Sequence, residues 1–352
     1  MDINPYLKLA VEKSASDVFV TVGSPVRVKL EGKIVTVGKI VLTAEMTKDA
    51  LYGIMNQVQR IVFEKSLETD FAISLHEKNA RFRVNAFMQQ GAVSMVLRYV
   101  RSEIPKLEDL KLPPILRELI MPKRGLLLMV GATGSGKSTT LAAMINHRNE
   151  NQAGHIITIE DPIEFVHPHK KSLVNQRELG MDTHSYARAL KSCMREAPDV
   201  ILVGEIRDQE TMSAALELSN TGHLAISTLH ANNAYQAMQR VINMFPQELH
   251  KQLLMDLSMN LVAVISQRLV IGVDDKRVAA LEVMINTPYI AELILNGRID
   301  EIKEAMSSSG TKGMQTFDLA LYSLYTGGRI TLEAALANAD SRTNLEAKIN
   351  FG

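Results

Sequence analysis

The stretch Gly131-Ala132-Thr133-Gly134-Ser135-Gly136-Lys137-Ser138 decides how the rest of this 352-residue sequence is interpreted. It fits the pattern G-x-x-x-x-G-K-[ST] of a phosphate-binding P-loop. The apolar block 126–130 before it has the length of a strand, and residues 139–144 after it have the composition of a helix. Strand, glycine-rich loop and helix in this order form the context that a P-loop requires. The motif therefore predicts a site for ATP or GTP.

Each residue type in the motif has a chemical reason. Glycines let backbone N–H groups converge on phosphate oxygens, and the positive end of the following helix faces the same anion. Lys137 can reach the β- and γ-phosphates, and the Ser138 hydroxyl can ligate Mg²⁺. The predicted nucleotide-binding residues are Gly131, Ala132, Thr133, Gly134, Ser135, Gly136, Lys137, Ser138 and Thr139. The motif alone leaves open a site that binds a nucleotide without hydrolysing it.

Composition sets the broad class of the protein. The length suits two domains, and 39 basic residues balance 39 acidic ones, so the formal net charge is zero. A neutral chain has no global attraction to nucleic acid, so no direct nucleic-acid partner is expected. Cys193 is the only cysteine, which excludes a disulfide framework and a four-cysteine zinc site within one chain. No apolar run approaches the ~18 residues that span a bilayer, and residues 1–5 do not resemble a signal peptide, so we expect a cytoplasmic protein.

The pattern of the chain predicts two domains of different kinds. Residues 1–101 combine helical stretches with short strands and predict a small α+β domain. Residues 102–115 contain three prolines and are predicted to be a linker. Residues 116–352 alternate strands and helices, which predicts an α/β domain with a largely parallel sheet. In its last part, the pattern predicts one or two amphipathic helices over 247–269 and an edge strand over 278–285.

Two further strands of the second domain lead into acidic residues. The apolar run 155–159 precedes Glu160, Asp161 and Glu164, and the run 200–203 precedes Glu205. An acid after a buried strand, downstream of a P-loop, is typical of the Walker B carboxylate that acts near Mg²⁺. A carboxylate of the first group can polarise an attacking water, and the spacing does not choose among the three.

Histidines and arginines complete the candidate residues. His223 and His230 flank the predicted strand 224–229, from which a γ-phosphate can be sensed. In the first domain, Arg81 and Arg83 lie two apart on a predicted strand and so share a face, and Arg98 and Arg101 lie near the end of the next strand. Two interpretations of these arginines remain open. They form either an ordinary solvent-exposed polar surface or a group that binds the phosphates of a neighbouring subunit.

Four segments of the second domain, taken in order, resemble the Walker A, Asp, Walker B and His boxes of the secretion ATPases that drive type IV pili and type II secretion. They are residues 131–140, ITIEDPIEFVH at 157–167, VGEIRD at 203–208, and TGH through TLH at 221–230. LVNQRE at 173–178 and GMQTFD at 313–318 match the retraction branch, called PilT/PilU. The sequence lacks the four-cysteine motif and longer N-terminal region that are usual in the assembly ATPases. Residues 290–297 lack the arginines of the PilT-type C-terminal element, which makes the chain more similar to the PilU side.

The resemblance implies a PAS-like N-terminal domain, a RecA-like ATPase domain with C-terminal helices, and a homohexameric ring. It also implies ATP hydrolysis with Mg²⁺ that helps to retract pili at the cytoplasmic face of the inner membrane, with a PilT-like retraction ATPase and an inner-membrane pilus platform protein as partners. The family's catalytic glutamate falls on Glu164, and Glu205 takes the Walker B role near Mg²⁺. The remaining family positions fall on His223 and His230 of the His box and on Arg81, Arg83 and Arg98, which meet a neighbour's nucleotide.

Three other functions remain compatible with these motifs. The first is a regulatory ring subunit that contributes little turnover of its own. The second is an ATPase of a type II secretion or competence machine, with the same chemistry on a different apparatus. The third is a nucleic-acid translocase, against which the zero net charge counts, because such binding depends on basic residues that contact phosphates.

Overall fold

The computed structural model describes residues 1–30, 32–75, 80–100 and 103–351. The chain forms two compact units, one of Met1–Glu103 with Glu164–Val166 and the other of Ile104–Ile163 with His167–Gly352. Each unit has its own sheet and its own buried apolar core. A mixed α/β chain with a smaller first unit and a helical C-terminal part confirms the predicted fold class.

The first unit is built on a six-stranded antiparallel sheet with the strand order β3-β2-β1-β6-β5-β4. Its strands are β1 (Asp17–Val20), β2 (Arg27–Leu30), β3 (Lys33–Thr36), β4 (Glu68–Leu75), β5 (Ala80–Gln89) and β6 (Ala92–Val100). Its helices are α1 (Asn4–Glu12), α2 (Ala44–Ile54) and α3 (Gln57–Ser66). The helical stretch 44–66 is divided between α2 and α3, because Asn56 caps α3 in a reciprocal capping box with Gln59.

The second unit is built on a seven-stranded sheet with the order β13-β12-β7-β11-β10-β8-β9. Its strands are β7 (Gly125–Val130), β8 (Gly154–Glu160), β9 (Ser172–Glu178), β10 (Val200–Val203), β11 (Leu224–Leu229), β12 (Leu261–Ile271) and β13 (Arg277–Ile285). All pairs are parallel except β12 with β13, which lies at the edge. Parallel strands end on the same side, so the sheet has one edge where its carboxyl ends meet.

Helices cover this sheet and form the C-terminal part. They are α4 (Ile115–Leu119), α5 (Lys137–Asn151), α6 (Tyr186–Cys193), α7 (Gln209–Asn220), α8 (Ala234–Asn243), α9 (His250–Asn260), α10 (Pro288–Leu295), α11 (Ile302–Ser308), α12 (Phe317–Thr326), α13 (Leu332–Asn338) and α14 (Arg342–Phe351). In the described part of the chain, none of the helices has both the length and the apolar composition that crossing a bilayer requires.

The prediction of helices over the whole of 247–269 is wrong in its second half. Helix α9 ends at Asn260, and β12 begins at Leu261 and pairs with the P-loop strand β7. The physical reason is burial on both faces: a strand inside a sheet covered on both sides is continuously apolar, and such a run has no period that distinguishes it from a buried helix. Strand β9 was also not predicted from the sequence.

Candidate active site

The P-loop joins a fully buried strand to the first turn of a helix. Strand β7 ends at Val130 and α5 begins at Lys137, so residues 131–136 form the loop between them. Gly136 has φ +86°, which favours glycine, and a Cβ at that position would lie 2.7 Å from Nε2 of Gln267. The Lys137 ammonium donates to the carbonyl oxygens of Gly131 and Ala132 at 2.8 and 2.9 Å. The lysine therefore lies along the loop whose phosphate-binding role the sequence predicts.

The loop has the properties that a phosphate ligand requires. Among the residues that the structure describes, the buried Ser135 hydroxyl has no hydrogen-bond partner. A cavity of about 300 Å³ lies against the loop and is lined by residues 131–135, Asn232, Gln267, Arg268, Leu269 and Asn338. A buried hydroxyl without a partner is costly, and an anion that enters the loop can supply an acceptor. The residues present therefore fit a nucleotide.

Glu205 lies at the carboxyl end of β10, at the same sheet edge as the P-loop, and its carboxylate is held from two sides. Its Oε2 accepts hydrogen bonds from Nε and Nη2 of Arg207 at 2.8 and 2.6 Å. Its Oε1 lies 3.2 Å from Nε2 of His230, which follows β11 directly. The Glu205 side chain is only 16% exposed. The structure therefore brings the candidate Walker B acid and one histidine of the His box together.

The first residues of the Asp box, 157–160, form the end of β8. Glu160 Oε1 accepts a hydrogen bond from the Thr158 hydroxyl at 2.6 Å and another from Nε2 of Gln176 at 3.2 Å. Near these acids, burial and the neighbouring charge of Asp161 raise the pKa of Tyr186, so this phenol stays neutral at physiological pH. Glu160 is thus fixed by its neighbours.

Glu164, the glutamate that the resemblance selects, lies four residues beyond the end of β8 and is solvent-exposed. It belongs, with Phe165 and Val166, to the first compact unit of the chain. Within the described parts of the chain, no hydrogen bond or ion pair holds the Glu164 carboxylate, which leaves it open to water. Its role as a base stays a prediction.

The structure does not place His223 near the other candidate site residues. It precedes β11, and its backbone carbonyl accepts a hydrogen bond from the N–H of Gly125 at the beginning of β7. His230 lies beyond the other end of β11, and six residues of strand correspond to roughly 20 Å. Nδ1 of His223 lies 3.1 Å from the carbonyl oxygen of Leu218. Within one subunit, His223 therefore lies at the sheet edge opposite the P-loop.

The three arginines of the first unit share one face of its sheet. Arg81 and Arg83 are two residues apart on β5, and Arg83 is the cross-strand partner of Arg98 on β6. Nε of Arg98 lies 2.9 Å from Oδ1 of Asp17, and Nε of Arg83 lies 3.8 Å from Oδ1 of Asp70. The two ion pairs orient these guanidinium groups. Arg101, also noted in the sequence, lies outside the described residues.

Sequence reasoning missed three residues at this site. Arg207 holds Glu205, Tyr186 lies near the acids of the Asp box, and Gln267 contacts the P-loop from β12. The sequence did contain a signal for the last of these, because polar residues at 266–268 interrupt the apolar run of β12. A polar side chain inside a buried strand requires hydrogen-bond partners, and here they belong to the nucleotide site.

Comparison with known proteins shows the class to which this fold and site belong. The chain is a member of the family described as Type II/IV secretion system protein, whose model matches residues 1–317, and it is a P-loop ATPase. It is 51% identical, over all of its length and 92% of the relative's, to the type IV pilus ATPase PilU of Pseudomonas aeruginosa. It is 42% identical to the type IV pilus retraction ATPase PilT of the same organism, covering 96% of this chain and 98% of that one.

Solved structures agree with this assignment. The crystal structure of the pilus retraction motor PilT with bound ADP has a TM-score of 0.90 at 41% identity, covering 98% of this chain and 99% of that chain. The Legionella pneumophila ATPase DotB has a TM-score of 0.83 at 28% identity, covering 95% and 93%. The resemblance to the PilT/PilU branch of the secretion ATPases is therefore confirmed, together with nucleotide binding and ATPase activity.

Proposed function

We propose that this chain is an ATP-driven motor subunit that assembles into a homohexameric ring and contributes to type IV pilus retraction beside a PilT-like motor. The proposal rests on sequence similarity and site geometry taken together. A chain 51% identical to PilU over its full length places a P-loop, Glu205 and His230 at one sheet edge. Its working place would be the cytoplasmic face of the inner membrane, against a pilus platform protein.

In this proposal, the P-loop binds the phosphates of ATP. Its backbone N–H groups and the amino end of α5 face the anion, and Lys137 exchanges the carbonyl oxygens of Gly131 and Ala132 for phosphate oxygens. The Ser138 hydroxyl would hold Mg²⁺ directly, and Glu205 would hold it through water, since hydroxyl and carboxylate oxygens suit this hard cation. When bound, the ion neutralises charge that develops on the β- and γ-phosphates.

In this proposal, Glu164 and His230 would supply the remaining steps of ATP hydrolysis. Glu164 would orient the attacking water and accept its proton, and its exposed carboxylate is accessible to water. His230, 3.2 Å from Glu205, would report whether the γ-phosphate is present, because a change at either group alters the contact between them.

The arginines of the first unit would serve the nucleotide of a neighbouring subunit. The Arg98 side chain is 70% exposed, whereas its ion-pair partner Asp17 is only 7% exposed. A phosphate offers Arg98 another charge-assisted partner, and Asp17 would keep the hydrogen bond from the Ser16 hydroxyl after the exchange. Arg81 and Arg83 lie on the same face and would add to the interaction.

A specific observation favours an accessory role over an independent one. Helix α10 (Pro288–Leu295) contains no arginine, whereas the matching element of PilT-type members carries two. A regulatory ring subunit is therefore the second candidate.

The experiment that tests the proposed function measures ATP hydrolysis and oligomeric state of the purified chain, alone and with a PilT-like partner. We expect a ring that hydrolyses ATP and whose turnover changes when the partner is added. A ring without turnover under both conditions would support the regulatory candidate instead.

A further inference from the structure

Strand β12 (Leu261–Ile271) places a buried amide against the P-loop. Gln267 is 2% exposed. Its Nε2 donates a hydrogen bond to the carbonyl oxygen of Ser135 at 2.8 Å, inside the loop. Its Oε1 accepts a hydrogen bond from the Thr140 hydroxyl in the first turn of α5 at 2.7 Å. One side chain of the sheet thus binds both the loop and the first turn of α5.

The contact between β12 and the loop is steric as well as polar. A Cβ at Gly131 would lie 2.5 Å from the backbone oxygen of Gln267, and a Cβ at Gly136 would lie 2.7 Å from its Nε2. Both distances are too short for real Cβ contacts, so the two glycines allow the loop to approach the strand this closely. The loop and Gln267 therefore form one packed unit.

The bond to Ser135 determines where the next backbone donor points. In a trans peptide the C=O and N–H groups point in opposite directions. When Gln267 holds the Ser135 carbonyl oxygen toward β12, the N–H of Gly136 points away from β12. Converging N–H groups of this kind are what binds phosphate in a P-loop.

We propose that Gln267 is a positioning residue for nucleotide binding. Its amide holds the Ser135–Gly136 peptide and the first turn of α5 in the orientation that phosphate binding requires. This inference rests on the proposal that the P-loop holds the nucleotide. It adds to that proposal a residue 132 positions from Ser135 in the sequence.

The alternative is a buried amide that matters only for folding, and the chain offers a matched control for it. Gln315 also donates its amide to a backbone carbonyl oxygen, that of Leu281, at 2.8 Å. It lies against β13, away from the P-loop. Gln267→Met and Gln315→Met each remove one bond from an amide to a backbone carbonyl oxygen and keep the length of the side chain, and Gln267→Met also removes the bond from Thr140.

The experiment measures the dissociation constant of a fluorescent ATP analogue and the melting temperature of wild-type protein and variants. We expect Gln267→Met to weaken nucleotide binding about tenfold, which corresponds to about 1.4 kcal/mol. Gln315→Met should bind the analogue with a dissociation constant within about twofold of wild type, even if its melting temperature falls as far as that of Gln267→Met. Equal affinities in Gln267→Met and wild type, or equal losses in both variants, would overturn the inference.

Two further variants cover the remaining outcomes. If Gln267→Met does not fold, Thr140→Val removes only the bond to Oε1 and should weaken binding by a smaller factor, about two- to fivefold. Unchanged affinity in Thr140→Val would then reject the role of Gln267 in positioning the first turn of α5. Lys137→Ala tests the underlying assignment: if it binds the analogue as wild type does, the P-loop itself is not the site. Loss of binding in Lys137→Ala with full binding in Gln267→Met rejects the role of Gln267 alone.

Discussion

His167 is the last residue of the Asp box, and the fold constrains its charge. Its side chain is 7% exposed, and this burial, with a smaller contribution from the charge of Lys170, lowers its pKa from 6.5 to about 4. The backbone N–H of His167 donates to Oε1 of Gln176 at 2.7 Å, and Gln176 in turn donates to Glu160. The imidazole is therefore held neutral, and the backbone of the same residue supports the segment that carries the candidate acids.

The lowered pKa of His167 predicts that stability depends on pH. Well above pH 6.5, this residue is unprotonated in both the folded and the unfolded chain, so it does not make the free energy of unfolding depend on pH. As the pH falls below 6.5, the unfolded chain takes up the proton first, and the folded state loses stability until its own pKa near 4 is reached. At about 1.4 kcal/mol per pH unit, the loss is about 2 kcal/mol at pH 5 and about 3 kcal/mol below pH 4.

The assay is urea unfolding followed by circular dichroism, because the chain contains no tryptophan. Wild type should lose about 2 kcal/mol more than His167→Gln between about pH 7.5 and about pH 5. His184→Gln, a change at an exposed histidine, is the matched control and should follow wild type. If wild type and His167→Gln lose the same free energy of unfolding over this interval, burial does not hold His167 neutral and the reasoning is refuted.

Three further predictions concern the site and its surroundings. Glu164→Gln should bind ATP within about twofold of wild type but release phosphate at least about 100-fold more slowly, and near-normal turnover would remove Glu164 from the base role. His230→Ala deletes the group 3.2 Å from Glu205 and should lower turnover about tenfold or more with ATP binding retained, as steady-state assays can show. Burial raises the pKa of the Cys193 thiol to about 12, so a thiol reagent should label it only in urea, and fast labelling of the folded chain would contradict its burial.

The strands that end in functional residues could be predicted from the sequence because each is a short apolar run followed by glycine or an acid. The runs before Gly131, Glu160 and Glu205 all form parallel strands, and their carboxyl ends meet. Chain order and the α/β pattern were sufficient for this inference. Spacing could not choose Glu164 over Glu160, because both follow the same strand and only the resemblance to a family separates them.

The parts that could not be predicted depend on contacts between distant segments. Periodicity could not identify β12, since its apolar residues are buried on both faces, and the role of Gln267 followed only once β12 lay beside β7. The positions of His223 and His230 also required the structure. The sequence predicted the strand between the two residues, but it assigned both to one nucleotide site, and the structure places them at opposite ends of β11.

The central claim is that ATP hydrolysis at the P-loop of this chain contributes to pilus retraction. The most direct measurement counts retraction events of individual labelled pili in cells that lack this chain and receive either the wild type or Lys137→Ala, with the PilT-like motor present in both. We predict that Lys137→Ala restores no more retraction than an empty vector, because the lysine that reaches the phosphates is gone. Retraction restored to the wild-type level by Lys137→Ala would contradict the claim and show that the ring acts without its own hydrolysis.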